Sequence, residues 1–127
     1  MSFLSYHALA GAPAEKEALR AEYAAAQKFG RVALGTNHLF LSRVLGLGGS
    51  YIAYPDIRRW FIRQCEATVE VSTFYSYLFV VDYGDGREKA VNFEEKPKVD
   101  ALREALRAAH PELTFGPDKT KKPAVNW

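Results

Sequence analysis

The residues best suited to catalysis in this chain are its three histidines and its single cysteine. His7, His38 and His110 lie far apart, and none is followed by a second histidine at the spacing with which a helix binds zinc. His38 and Ser42 fall on one side of a predicted strand, but four residues of strand separate them by about 13 Å. That distance is too long for a nucleophile and its base, so these residues predict neither a metal centre nor a Ser–His pair.

Cys65 is the only thiol in the chain. A nearby arginine such as Arg63 would favour its thiolate, but a lone free cysteine is more typical of a small buried apolar side chain. One cysteine forms no internal disulfide and no multi-cysteine metal site, which favours a cytoplasmic protein. We therefore expect no enzymatic activity and no cofactor, and a small enzyme using Cys65 is the least favoured alternative.

A cluster of basic residues is the candidate for contact with an anion or a lipid. It consists of Arg58, Arg59 and Arg63 together with Trp60. Arginine binds phosphate in a bidentate manner and tryptophan sits in lipid interfaces. Strand alternation splits the cluster, with Arg58 and Trp60 on one face and Arg59 and Arg63 on the other. Three lysines near the C-terminus add to the positive charge: Lys119, Lys121 and Lys122.

The aromatic residues form the other candidate surface. On one face of a predicted strand lie Tyr75, Tyr77, Phe79 and Tyr83. Tyrosine is enriched at protein interfaces, so this face is the candidate surface for a protein partner or a second copy. The alternative is that one face of the strand fills the core and that the N-terminal helix covers the other face through Leu19 and Tyr23.

The sequence predicts two helices around a run of strands. Residues 13–28 have the proline, early acidic residues and late glycine of a helix, and residues 97–110 have an apolar stripe at helical spacing before Pro111. Between them, residues 31–94 alternate as strands, with long strands over 58–71 and 76–83. Glycine-containing turns are predicted at 35–37, at 46–49 and at 82–86, where the last joins 76–83 to 87–93.

Composition sets the outer limits of the function. The chain has 127 residues, of which 48% are hydrophobic and 25% charged, with a net charge of +2. These values are typical of one globular domain, and the net charge is too small to predict nucleic-acid binding. No apolar run approaches the roughly 20 residues of a membrane span. The N-terminal stretch lacks the basic leader of a signal peptide, so we do not expect secretion.

Several short motifs together resemble the bacterial pleckstrin-homology-like (PH-like) domains. That family has a Gly-x-Val/Leu-x-Leu-Thr segment followed by an Ile-Pro-Tyr-x-x-Ile corner. This chain offers Gly30-Arg31-Val32-Ala33-Leu34 with Thr36, and then Ile52-Ala53-Tyr54-Pro55-Asp56-Ile57. Alanine replaces the usual proline of the corner, and a proline follows the tyrosine. The likeness covers about residues 29–112 and rests on structural positions.

The resemblance implies an α+β fold in which a split β-barrel of antiparallel strands is capped by a C-terminal helix. On this basis we divide the chain into a leader (1–12), an additional N-terminal helix (13–28), a PH-like domain (29–115) and a basic tail (116–127). Relatives of this kind bind lipids, peptides or protein domains. We therefore expect a binding module for another protein or for itself, with anionic lipid head groups as the alternative ligand.

Overall fold

One helix, a run of strands and a second helix follow one another as the sequence predicts, with one extra strand at each end of the first sheet. The structure, a computed structural model, describes residues 6–43 and 48–116. Its elements are β1 (Tyr6–Ala8), α1 (Lys16–Ala25), β2 (Gln27–Phe29), β3 (Val32–Leu34), β4 (His38–Ser42), β5 (Gly49–Ala53), a 3₁₀ turn (Tyr54–Asp56), β6 (Arg59–Val69), β7 (Ser72–Asp82), β8 (Glu88–Phe93) and α2 (Lys96–Ala109). The α+β class is thereby confirmed.

The chain divides into two compact units between Ile57 and Arg58. This boundary lies inside the segment 29–115 that we predicted as one PH-like domain. The described strands form one sheet of five strands and one of three, and they do not close into a barrel. They are not all antiparallel either, because β1 runs parallel to β5.

The first unit is a five-stranded sheet with the strand order β1-β5-β4-β3-β2. The β3–β4 hairpin turns at residues 35–37 as predicted, with Leu34 opposite Leu39 and Val32 opposite Leu41. Successive residues of these strands face opposite sides of the sheet, and apolar residues lie on both sides. β1 falls within the segment that we predicted as a leader, and its pairing with β5 adds it to the sheet.

Helix α1 packs on one face of this sheet. It begins after Glu15, whose carboxylate accepts a hydrogen bond from the Glu17 N–H, and it ends at Ala25 because β2 follows at once. The core between the helix and the sheet contains a cluster of buried residues: Tyr6, Leu19, Ala33, Phe40 and Tyr51. The Tyr23 ring meets Phe40 edge-on, with 5.3 Å between the centroids. Leu19 and Tyr23, which we expected against the strand over 76–83, thus pack in the core of the first unit.

The second unit is an antiparallel β6-β7-β8 sheet with α2 against β7 and β8. The predicted hairpin at 82–86 is confirmed, and Asp85 and two glycines there have positive φ. One sheet face carries the buried residues Trp60, Phe79, Val81, Val91 and Phe93. Helix α2 contributes Val99, Leu102 and Leu106, which lie at helical spacing and are fully buried. Pro111 follows its last residues, as predicted.

Some predictions fall on residues that the structure does not describe. They are the first two residues of the turn at 46–49, the tail lysines Lys119, Lys121 and Lys122, and the first five residues of the chain. Of the helices in the described ranges, neither is long and apolar enough to cross a membrane.

Candidate functional site

The β6–β7 hairpin extends beyond the third strand of its sheet. Each of the two strands has 11 residues, but β8 pairs with β7 only from Tyr77 to Asp82. Residues 65–76 therefore form a two-stranded ribbon, which we call the hairpin arm. Two-stranded ribbons are at best marginally stable in water and gain stability when another element covers them.

Apolar side chains are concentrated on the hairpin arm. Within the described residues, it carries four of the five large apolar side chains that are exposed. Their exposed fractions are 60% for Val69, 98% for Val71, 58% for Phe74 and 48% for Tyr75. Such a concentration outside the core is typical of surfaces that contact another molecule.

The edge of β7 in the arm offers backbone hydrogen-bonding groups to a partner. The Arg58 N–H donates to the Asp82 carbonyl, and the Tyr83 N–H donates to the Arg87 carbonyl. Even-numbered β7 residues therefore direct their backbone groups to β6, and odd-numbered ones direct theirs to the opposite edge. Since β8 ends opposite Tyr77, the N–H and C=O groups of Thr73 and Tyr75 have no partner strand among the described residues.

A groove of about 580 Å³ lies beside this edge. It is lined by Cys65, Glu66, Ala67, Phe74, Tyr75, Ser76, Asn92 and Glu94. Cys65 is half-buried there and directly opposite Ser76. No imidazole or second thiol lines the groove, and the described residues contain no cluster of histidines, cysteines and carboxylates that could hold a metal ion. The lining therefore offers Cys65 the carboxyl groups of Glu66 and Glu94 but no imidazole base.

The predicted aromatic surface is divided by the structure. Tyr75 is exposed and Tyr77 half-buried, while Phe79 is fully buried and belongs to the core. Tyr83 lies eight residues from Tyr75, about 26 Å along the strand, with Arg87 above its ring at 4.9 Å. Phe79 is thus not part of an exposed surface, and only the Tyr75 end of the predicted set belongs to the hairpin arm.

The sequence analysis did not assign Val69, Val71 and Phe74 to a surface. It continued the first long strand to residue 71 and began the second at residue 76, whereas β6 ends at Val69 and β7 begins at Ser72. The turn of the arm consists of Glu70 and Val71, and Glu70 has a φ of +56° that non-glycine residues seldom adopt. No glycine, asparagine or proline marks this turn. The uninterrupted Thr-Phe-Tyr run after Ser72 was the available signal for a longer strand.

The predicted basic cluster does not form one patch. Arg58 is exposed, whereas Arg59 and Arg63 lie on the opposite sheet face, as alternation predicts. Trp60 is 1% exposed, and its ring centroid lies 4.6 Å from that of Phe115. Its indole therefore fills the core of the second unit and is not available for a lipid interface.

Arg59 instead faces a buried carboxylate. Asp82 Oδ2 lies 3.8 Å from Arg59 Nε, and Asp82 Oδ1 accepts a hydrogen bond of 2.8 Å from the Gly84 N–H. The Asp82 side chain is only 3% exposed. The same carboxylate thus pairs with β6 and holds the first residues of the β7–β8 turn, which gives it a structural role.

A second polar cluster, in the first unit, joins α1 to the β3–β4 turn. Glu22 Oε2 accepts hydrogen bonds from the backbone N–H groups of Asn37 and His38, at 2.7 and 2.6 Å. Its other oxygen, Oε1, accepts from His38 Nδ1 at 2.8 Å. A carboxylate that orients an imidazole in this way occurs in general-base sites. The rings that contact His38 are Phe40 and Tyr51, and in the part of the chain that the structure describes no serine or cysteine is seen to bond to the pair. Its hydrogen bonds instead join the helix to the turn.

Tyr54 lies close to this cluster and should titrate at unusually high pH. Its hydroxyl donates to the Gly35 carbonyl at 2.8 Å. Burial, and to a smaller extent the charge of Glu22, raises the pKa of Tyr54 above its ordinary value of 10.0. Because the pKa is higher in the folded state, this contribution to stability is complete below about pH 10 and is lost as the pH rises through the folded-state pKa.

We therefore expect the free energy of unfolding to fall as the pH rises above 10, and the Tyr54→Phe variant to show a smaller fall. Absorbance at 295 nm, compared between the wild type and this variant, isolates the titration of Tyr54. Tyr75→Phe is the control, because Tyr75 is exposed. A wild-type-minus-variant difference that titrates near pH 10 would show that Tyr54 is accessible to water.

Comparison of the chain with protein-family models, with curated proteins and with solved structures gave no significant match. The functional argument therefore rests on the geometry of the hairpin arm and on the chemistry of the residues that it presents.

Proposed function

We propose that this chain is a non-enzymatic PH-like binding module that binds a protein partner through the hairpin arm. The observation that carries this proposal is the coincidence of exposed apolar side chains with an open strand edge. Thr73 and Tyr75 present unpaired backbone groups on the edge, and Val71 and Phe74 present apolar surface beside it. A polypeptide in extended conformation supplies both the hydrogen bonds and the side chains that such an edge requires.

The charges of the arm favour a protein over a membrane. Glu66 and Glu70 are its only charged residues, so that the arm carries negative charge and would be repelled by anionic head groups. Trp60, which lipid binding would need at the surface, is buried in the core. These two observations make peripheral lipid binding the weaker candidate.

The order of the elements supports the PH-like part of the proposal. The strands from β2 to β5 pair antiparallel in one sheet and those from β6 to β8 in the other, and an amphipathic helix follows the last strand, as the resemblance implies. The Tyr-Pro-Asp corner forms a 3₁₀ turn directly before β6, and Tyr54 anchors it through the Gly35 carbonyl. The family's use as a binding module for peptides and protein domains is the reason for proposing the same use here.

The test is affinity capture with the purified, tagged chain as bait in a lysate of its source cells, at low and at moderate salt. We expect a protein in near-equal amount to be retained at both salt concentrations. The Tyr75→Ser/Tyr77→Ser double variant should lose it, because it removes both tyrosines from the arm end of β7. Tyr83→Ser is the matched control, since Tyr83 directly follows the other end of β7.

Far-UV circular dichroism of each variant shows whether the fold is kept. Equal capture by the wild type and by the folded double variant would contradict the assignment of the arm as the binding surface. Capture that depends on anionic vesicles and disappears at moderate salt would favour the lipid alternative instead.

A further inference from the structure

We infer that the partner of the hairpin arm is a second copy of this chain, joined by antiparallel pairing of the two β7 edges around a two-fold axis at Phe74. This inference rests on the proposed function, because it names the protein that the arm binds. In such a pair the same surface of each copy contacts the other, so the segment must be complementary to itself.

The hydrogen-bonding groups of the edge select this register. Pairing around Phe74 places Thr73 of each copy opposite Tyr75 of the other, and both of these residues direct their backbone groups to the open edge. Each Thr73–Tyr75 pair exchanges two hydrogen bonds, so the unpaired groups of both residues are satisfied. Ser72 and Ser76 then lie opposite each other at the ends of the ladder.

Neighbouring registers leave groups unpaired. A centre at Tyr75 would place Thr73 of the partner opposite Tyr77, whose edge is already occupied by Phe93 of β8. A centre at Thr73 would place Tyr75 opposite Val71, which belongs to the turn of the partner's arm. Of the three centres, only the one at Phe74 pairs both of the open residues with each other. The ladder then stops at Ser72 and Ser76, and only the turn residue Val71 of the partner reaches the end of β8 beside Tyr77.

Charge and side-chain chemistry are compatible with this pairing. The segment Ser72-Thr73-Phe74-Tyr75-Ser76 has no charged residue, so no like charges lie opposite each other. It also lacks the lysine or proline with which exposed edges usually prevent pairing. Of the two carboxylates that line the groove, Glu66 lies on β6, where three strand spacings of about 5 Å would separate it from its counterpart, and Glu94 follows the last residue of β8.

At the centre, the two Phe74 side chains face each other in a non-hydrogen-bonded pair, where opposing side chains come closest. Phe74 lies on the groove side of the sheet and is 58% exposed. Pairing would therefore remove apolar surface from water on both copies at the position where it is most exposed within the ladder.

A charge-swap experiment tests the axis directly. Sedimentation equilibrium should show a concentration-dependent dimer for the wild type. Phe74→Lys and Phe74→Glu should each be monomeric, because each places two like charges opposite one another. An equimolar mixture of the two variants should restore a dimer, since the opposing charges are then of opposite sign. Val71→Lys is the control and should keep the dimer, because Val71 lies outside the ladder.

Disulfide trapping tests the register without relying on charge. In a Cys65→Ser background, Phe74→Cys should form an intermolecular disulfide under mild oxidation, because the two Cα atoms of such a pair lie about 4.5 Å apart. Thr73→Cys should not, because the two copies of residue 73 would lie about 8 Å apart, beyond the reach of a disulfide.

The outcomes separate this inference from the proposed function. If the wild-type chain stays monomeric at all concentrations while the arm still captures another protein, the inference that the partner is a second copy is wrong. The proposed function as a binding module would then still stand. A dimer that Phe74→Lys and Phe74→Glu both retain would also overturn it. Loss of both the dimer and any arm-dependent capture would remove the inference and the proposed function together.

Discussion

Replacing Asp82 with alanine is expected to lower the free energy of unfolding by about 3 kcal/mol. The substitution removes the acceptor of the Gly84 N–H and leaves the half-buried Arg59 guanidinium without its carboxylate. Removing one partner of a buried ion pair costs more than the net stabilisation by the pair, because the other charge is left uncompensated. Urea unfolding followed by far-UV circular dichroism and tryptophan fluorescence measures the loss, with Trp60 as the reporter inside the second unit.

Two further variants separate the charge from the hydrogen bond. Asp82→Asn keeps an oxygen that accepts from Gly84 and should lose less stability than the alanine variant. Asp85→Asn, three residues away, should change stability by less than about 0.5 kcal/mol, because the Asp85 carboxylate is 92% exposed and its ion pair with Arg87 is screened by water. If Asp82→Ala were as stable as Asp85→Asn, the contacts of the buried carboxylate with Arg59 of β6 and with the β7–β8 turn would not stabilise the second unit.

Replacing Glu22 with alanine is expected to cost about 2 to 3 kcal/mol. One side chain then ceases to accept three hydrogen bonds, and the N–H groups of Asn37 and His38 lose their partner. Helix α1 should separate more readily from the sheet, since this carboxylate is its polar connection to the β3–β4 turn. Thermal unfolding gives the loss of stability, and amide hydrogen exchange should show faster exchange at residues 37 and 38.

The matched control lies two residues earlier in the same helix. Arg20→Ala removes an exposed side chain and should leave stability within about 0.5 kcal/mol of the wild type. Gly35→Ala provides an independent approach, because a Cβ at this position would collide with the Glu22 carboxylate. Unchanged exchange at residues 37 and 38 in both the Glu22 and the Gly35 variants would show that the carboxylate does not hold the turn.

Local patterns in the sequence predicted the elements that depend on local chemistry. The hairpin at 82–86 was predictable because its glycines accept positive φ and Asp82 binds the backbone two residues later. Helix α2 was predictable because its apolar stripe and Pro111 mark one face and one end. The Tyr-Pro-Asp corner was also predictable from local chemistry, because proline fixes the backbone φ angle in a range that a tight turn can use.

The features that could not be predicted depend on residues that are distant in sequence or atypical for their position. Glu22 and His38 lie 16 residues apart, and no motif connects a helix carboxylate with the amides of a turn. The Glu70–Val71 turn contains no glycine, asparagine or proline, which are the residues that usually indicate a turn. The predicted strand after it therefore starts at residue 76, four residues later than β7. Trp60 was a candidate for a lipid surface because alternation shows which residues share a face of a strand but not which of the two faces is buried.

The parallel pairing of β1 with β5 has a consequence for the order of folding. β2, β3 and β4 each meet a neighbour that follows within a few residues, whereas Tyr6 meets Gly49. Closing so long a stretch of chain costs more entropy than closing a hairpin, so we expect the β2–β5 meander to form first and β1 to join it last. We expect the same edge strand to separate first during unfolding, which would expose the β5 edge before the rest of the unit opens.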